Sequence, residues 1–246
     1  MKTKTISWFS AGVSSAVATK MIIDEIDEII YTHIDDQHPD TMRFVKDCEA
    51  WFGKPITILQ SDFKTVENVL RMKGFVNSPR GAPCTGVLKR AMRHQWETLH
   101  AMKQLRYVWG LDIEETKPRP PRNMSRKDVI LESMPYDLHV FPLIDRNMTK
   151  TQAHKVLNAS GIKRPAMYDL GYHNNNCVGC VKGSAGYWNK IRVDFPEVFE
   201  ARAKMERLIG GSILNGVYLD ELDPEAGRKQ GPIVDDCGIM CELMKL

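Results

Sequence analysis

An α/β fold built on a doubly wound parallel sheet is the class this sequence predicts, and three observations predict it. An apolar run from Ile6 to Phe9 breaks into Ser10-Ala11-Gly12-Val13-Ser14-Ser15 and resumes with helical spacing, which reads as strand, tight loop and helix. Short apolar segments then alternate with amphipathic ones, Ile29 to Ile34 and Pro55 to Leu59 forming the next two strands, and this βαβαβ rhythm specifies parallel strands with helical crossovers. The chain is 246 residues long and 43% hydrophobic, enough for a sizeable core.

Charge narrows the function classes. With 34 Lys and Arg against 31 Asp and Glu, the net charge of +3 lends no support to nucleic-acid binding, although a local basic face stays open. No run approaches the ~18 apolar residues of a membrane span. The N-terminal apolar patch also lacks a signal-peptide core, so a cytoplasmic protein without membrane contact is expected. Six cysteines without an export signal fit thiols, metal ligands or catalytic groups better than a disulfide framework.

The first loop is the expected anion site. Small residues let the backbone of Ser10, Ala11, Gly12 and Val13 turn tightly, while the hydroxyls of Ser14 and Ser15 and the free N–H groups at the helix start suit a phosphate. The pattern Ser-x-Gly-x-x-Ser lacks the Lys of a Walker loop and the three spaced glycines of a dinucleotide fold. It resembles the PP-loop of the adenine-nucleotide alpha-hydrolase superfamily, whose ATP pyrophosphatase members carry Ser-Gly-Gly-x-Asp-Ser. Ala11 and Ser14 depart from that form and lean toward the branch that includes the phosphoadenosine phosphosulfate (PAPS) reductases.

Apolar spacing from Val13 to about Ile23 suits a helix, and the second strand ends in Asp35-Asp36-Gln37-His38-Pro39-Asp40-Thr41. Acids at the carboxyl edge of a parallel sheet stand where ribose hydroxyls or a metal are met, and acids ahead of Met42 to Phe52 serve equally well as a helix cap. Pro39-Asp40-Thr41 is similar to the Pro-Glu-Thr found after the second strand in PAPS reductases. Lys64 to Met72 reads as a short helix, Gly74 to Pro83 as a loop that delivers Cys84, and a further helix should reach about Gln104. Arg80, Lys89 and Arg90 near Cys84 favour the thiolate that metal binding needs, whereas the bland reading is a buried thiol. The string Cys-Thr-x-x-Leu-Lys-Arg resembles the region where iron–sulfur reductases of the superfamily place adjacent cysteines; this chain has one.

Arg106 to Asp112 reads as the next strand, ending at Gly110 ahead of Glu114 and Glu115. In the reductases the matching strand ends in a Gly followed by an Arg and an acidic pair that approaches the nucleotide, and here the Arg is absent. Lys117, Arg119, Arg122, Arg126 and Lys127 lie in and after a Pro-rich loop and could replace it as a mobile anion trap or a lid, or form a solvated loop. Leu138 to Leu143 is a further strand, and Thr149-Lys150-Thr151-Gln152 has the form of a capping box opening a helix to about Asn158. This order resembles the Pro-Leu-x-x-Trp-Thr segment of PAPS reductases, without its Trp.

His173-Asn174-Asn175-Asn176-Cys177-Val178-Gly179-Cys180 carries the strongest chemical signal after the loop. Cys-x-x-Cys brings two thiolates onto one metal or into one redox pair, and Gly179 permits the turn. A thioredoxin-like motif normally follows an early strand, which leaves zinc and iron–sulfur. Tyr187, Trp188 and Cys48 read as packing residues, and Asp194 as the cap of a helix from Pro196 to about Leu208, closed by Gly210-Gly211. The polar tail leads to Asp236-Cys237-Gly238-Ile239-Met240-Cys241. PAPS reductases end in Glu-Cys-Gly-Leu-His, whose Cys attacks the sulfate sulfur; Cys237 matches that Cys, with no His following and an added Cys241.

The resemblance covers most of residues 5 to 190 and the tail motif. It implies a Rossmann-like fold of the adenine-nucleotide alpha-hydrolase type, with a nucleotide-binding domain over 1–160 and a cysteine-bearing region over 161–246 packed on the sheet edge. The implied activity is reduction of PAPS or adenylylsulfate to sulfite, with a thiol electron donor as partner. Ser10, Gly12, Ser14 and Ser15 would hold phosphate, Asp35 or Asp36 would meet ribose, Gly110, Arg119 and Arg122 would approach the nucleotide, and Cys237 would be the nucleophile. Cys84, Cys177 and Cys180 with Cys241 or Cys237 would hold a four-iron four-sulfur cluster, with zinc as the alternative. Two other readings stay open: an adenylating sulfurtransferase using ATP with magnesium and a sulfur donor, and a non-catalytic, metal-stabilised nucleotide-binding module. A homodimer is left open as well.

Overall fold

The computed structural model describes residues 3–76, 81–101, 104–118 and 123–228. Five strands, β1 (Thr3–Trp8), β2 (Glu28–His33), β3 (Ile56–Gln60), β4 (Gln104–Val108) and β5 (Leu138–Val140), form one all-parallel sheet in the order β3-β2-β1-β4-β5. The winding direction reverses at β1, and in such sheets ligands bind in the crevice at the carboxyl ends beside that reversal. Ser7 is in register with both Ile29 and Val108, so the chain leaves β1 and β4 at the same level.

The crossovers are helical. In chain order the helices are α1 (Val13–Met21), α2 (Asp40–Phe52), α3 (Val66–Lys73), α4 (Pro83–Thr85), α5 (Ala91–Leu99), α6 (Arg126–Ser133), α7 (Pro142–Asp145), α8 (Lys150–Ala159), α9 (Ala166–Asp169), α10 (Ala185–Asp194) and α11 (Pro196–Ile209), of which α1 to α6 lie between strands and the rest follow β5. A π-helical turn, Gly86–Arg90, joins α4 to α5. Both halves of the expected capping box are present at α8, where Thr149 caps Gln152 and Gln152 reaches back.

Several boundaries differ from the sequence expectation for physical reasons. The helix after Cys84 stops at Leu99 rather than near Gln104, because Leu105 and Tyr107 are taken into the buried sheet. The strand expected to reach Leu143 ends at Val140, since Pro142 offers no N–H to a ladder and opens α7 instead. Asp194 closes α10, which the sequence analysis did not assign, and Phe195 is the N-cap of α11.

Alternate residues of the strands feed opposite faces. Ile29, Tyr31 and Val108 join Val13, Val17, Phe44 and Leu157 in one buried cluster, whereas Ile6, Ile30, Tyr107 and Trp109 join Trp96 and Ile130 in another. A third cluster starts at Ile34, just past β2, and gathers Leu70, Cys84, Leu88, Cys177, Cys180, Trp188 and Leu219. This cluster joins residues between 34 and 88 to residues between 167 and 222, so the cysteine-bearing C-terminal region shares its core with the segments that follow β2 and β3. No helix among the described residues is long and apolar enough to cross a membrane.

Candidate functional site

The loop between β1 and α1 is held by its own side chains. Ser15 Oγ lies 2.9 Å from Ser10 Oγ, accepts the Ser10 N–H at 3.2 Å and reaches the Gly12 carbonyl at 3.1 Å, so one hydroxyl staples the turn. Thr19 Oγ1 donates to the Ser15 carbonyl and lies 2.7 Å from Ser7 Oγ, which ties the helix to its strand. Ala11 is fully buried at φ 56, a left-handed conformation that a residue with a Cβ adopts only under constraint. Gly12 is the N-cap of α1 and Val13 its first residue, with no side-chain cap, so the positive end of the helix faces the loop. Ser14 is partly exposed in the same turn.

Tyr168, on α9, stands over this helix start. Its hydroxyl accepts the Val13 N–H at 3.3 Å, and a Cβ on Gly12 would lie 3.4 Å from the same oxygen. His154 packs edge-on against the Tyr168 ring at 4.8 Å, and Lys150 Nζ lies 5.8 Å from the ring centroid. Burial first, then the neighbouring Lys150, Arg164 and His173, push the His154 imidazole down to about 4. Lys150 also donates to the His173 carbonyl at 2.7 Å and to Asn174 Oδ1 at 2.6 Å.

Gly110 follows β4 and packs on the loop from the other side. A Cβ there would meet Ser15 Cα at 2.5 Å and Ser15 N at 2.7 Å. The two acids after β2 have separate fates. Asp36 pairs with Arg202 of α11 and accepts the Val66 N–H at 2.7 Å, so it is tied to the start of α3, whose N-cap is Thr65. Asp35 is exposed, 2.6 Å from Gln60 Nε2 and 3.3 Å from His33 Nε2. At the start of α2 the acid is Asp40, whose carboxylate Arg43 holds down to about 2 and which also accepts the Ala166 N–H at 2.8 Å.

The Cys-x-x-Cys turn is docked onto the same edge. Gly179 has φ 69, and a Cβ on it would stand 2.6 Å from Val198 Cγ1, so the turn needs glycine twice over. The Val178 N–H donates to the Asp36 carbonyl at 2.8 Å, and Gln37 bridges to Cys177 in antiparallel fashion. The buried Tyr187 hydroxyl donates to the Cys177 carbonyl at 3.2 Å and accepts the Cys180 N–H at 2.9 Å. Cys84, Cys177 and Cys180 are buried in one cluster, yet among the described residues no three His, Cys, Asp or Glu are grouped to hold a metal ion. Cys48 lies in a different cluster, and burial pushes its thiol far up, as a core residue requires.

Cys237, Cys241, Arg119 and Arg122 lie outside the described residues. The other three cations of the expected anion trap are engaged: Arg126 with Glu115 at 2.5 Å, Lys117 with Glu114, and Lys127 at 5.2 Å over the Phe141 ring. Sequence reasoning missed Asn175, whose Nδ2 donates to the Ala11 carbonyl at 2.9 Å and to Thr41 Oγ1 at 3.2 Å. Its signal was the run of three asparagines before Cys177.

A family model described as the phosphoadenosine phosphosulfate reductase domain matches residues 4–185, which span the loop, the sheet and the Cys-x-x-Cys turn. No curated protein matches. Among solved structures, a phosphoadenylyl-sulfate (PAPS) reductase from Candida auris, in a phosphate complex, is 13% identical over 72% of this chain and 81% of that one, with a TM-score of 0.48.

Proposed function

The chain belongs to the phosphoadenosine phosphosulfate reductase domain family, and from that premise we propose that it is a sulfonucleotide reductase that cleaves PAPS or adenylylsulfate with a Cys thiolate. The observation that carries this reading is convergence. The phosphate loop, Gly110 after β4 and the cysteine turn meet at one edge of the sheet, where the winding reverses.

In this reading the α1 N-terminus and the Ser10 to Ser15 loop hold the nucleotide phosphate, and Asp35 takes the ribose because Asp36 is committed to Arg202. Cys237 Sγ attacks the sulfate sulfur, and the bond from sulfur to the bridging phosphate oxygen breaks. The nucleotide phosphate leaves with that electron pair, and an S-sulfocysteine remains. One thiol of a donor dithiol then attacks Cys237 Sγ, and sulfite departs. The donor's second thiol resolves the mixed disulfide, so two electrons from the donor end on sulfite and the Cys237 thiol is restored. The chain geometry supports this reach. Gly227 packs against Gly186, where a Cβ would fall 2.3 Å from the Gly186 nitrogen, so the described chain ends beside the start of α10, the helix that follows the cysteine turn. Cys237 follows Arg228 by nine residues, a tether of at most roughly 30 Å.

Cys84, Cys177 and Cys180 share a buried core but are not grouped to hold a metal ion among the described residues, so the four-iron four-sulfur cluster or zinc expected on them with Cys241 is not part of this reading. A second reading would need Cys237 as a metal ligand beside those three. The tail would then be pinned, and the chemistry would become ATP-dependent sulfur transfer. Incubating the protein with PAPS or adenylylsulfate in the absence of reductant separates the two. An S-sulfonate mapped by mass spectrometry to Cys237, and absent from Cys237→Ser, is expected; no adduct with either nucleotide would overturn the reductase reading.

A further inference from the structure

We infer that Asn175 is a positioning residue that couples the cysteine turn to the phosphate loop, so that a bound nucleotide phosphate and the Cys177–Cys180 turn order one another. The inference rests on the reading that this loop takes the nucleotide.

Asn175 is buried, and its amide spends both hydrogens across the site: one on the Ala11 carbonyl at 2.9 Å, the other on Thr41 Oγ1 at 3.2 Å. Ala11 is the loop residue held at φ 56, so the amide anchors the carbonyl of the one peptide in the loop that a side chain disfavours. Thr41, in the first turn of α2, is buried and gives the amide a rigid second anchor. Asn175 is two residues from Cys177, and Cys177 is itself bridged to Gln37. A shift of the Asn175 backbone therefore moves a loop peptide at one end and a cysteine of the turn at the other. Coupling of this kind is reciprocal: whatever the phosphate does to the order of the turn, the turn does to phosphate affinity by the same factor.

Peptide-resolved hydrogen exchange, with adenine-nucleotide affinity measured alongside by calorimetry, tests this. In the wild type, saturating PAPS or ATP should slow exchange across residues 171–183 by about five-fold or more, the lower end of typical coupling. Asn175→Asp keeps the shape but turns an acceptor toward the Ala11 carbonyl. It should bind nucleotide about ten-fold more weakly and, when saturated, should lose the slowing at 171–183. Simple destabilisation would instead raise exchange in both states and leave the nucleotide effect in place. If Asn175→Asp fails to fold, Asn175→Ser, too short to reach Ala11, is read the same way. Equal slowing in wild type and variant, or none in a wild type that binds nucleotide, overturns the coupling while sparing the functional reading. A wild type that binds no adenine nucleotide overturns both.

Discussion

Gly110 and Ser15 meet backbone to backbone: a Cβ on Gly110 would stand 2.5 Å from Ser15 Cα. The peptide after β4 thus forms one wall of the loop between β1 and α1. Gly110→Ala must displace that loop. Overpacking of this kind costs about 1–3 kcal/mol. We expect a lower denaturation midpoint and weaker nucleotide binding by calorimetry, whereas unchanged values for both would mean the contact is not tight.

Ala11 gives the opposite expectation. Glycine relieves the left-handed strain at φ 56 but is freer in the unfolded chain, so Ala11→Gly should leave stability within about 1 kcal/mol of wild type, while Ala11→Val should fall well below it. Chemical denaturation of the two variants makes the comparison.

Asp36 and Asp35 can be told apart by mutation. Arg202 is buried and Asp36 partly so, and removing one partner of a fully buried pair costs about 3–5 kcal/mol, an upper bound here. Asp36→Ala should therefore lose stability, by less than that bound, because it leaves Arg202 buried without its carboxylate. Asp35→Ala, at an exposed position, should keep its stability and lose nucleotide affinity. A stable Asp36→Ala would remove the scaffold role assigned to it.

His154 sets a pH dependence. Its imidazole is held down from 6.5 to about 4, so the unfolded chain takes up the proton first as pH falls. The contribution is complete above 6.5 and is lost progressively toward about 4. Stability of His154→Gln should fall less steeply than wild type over that window, as read from thermal midpoints in matched buffers.

What the sequence made legible was local. The strand, serine loop and helix at the N-terminus and the capping box at Thr149 and Gln152 are short-range patterns, and the structure has each. The helix after β2 was legible too: Asp40, one of the acids read as its cap, lies in its first turn without capping it, while Asp36 accepts the Val66 N–H at the start of α3. The polar ties that assemble the site were not legible. Asn175 reaches Ala11 across 164 positions and Arg202 reaches Asp36 across 166, and single long-range hydrogen bonds leave no periodicity to read. α10 escaped for a related reason: Tyr187 and Trp188 read as isolated packing aromatics, and their helix is set by the cluster they fill.

The proposed reduction of a sulfonucleotide through Cys237 is open to a sulfite assay. Purified protein with PAPS or adenylylsulfate and a dithiol should release sulfite, and Cys237→Ser, matched for folding and nucleotide binding, should release none. No sulfite from wild type with either nucleotide, together with pyrophosphate released from ATP, would contradict that reaction and leave ATP-dependent sulfur transfer in its place.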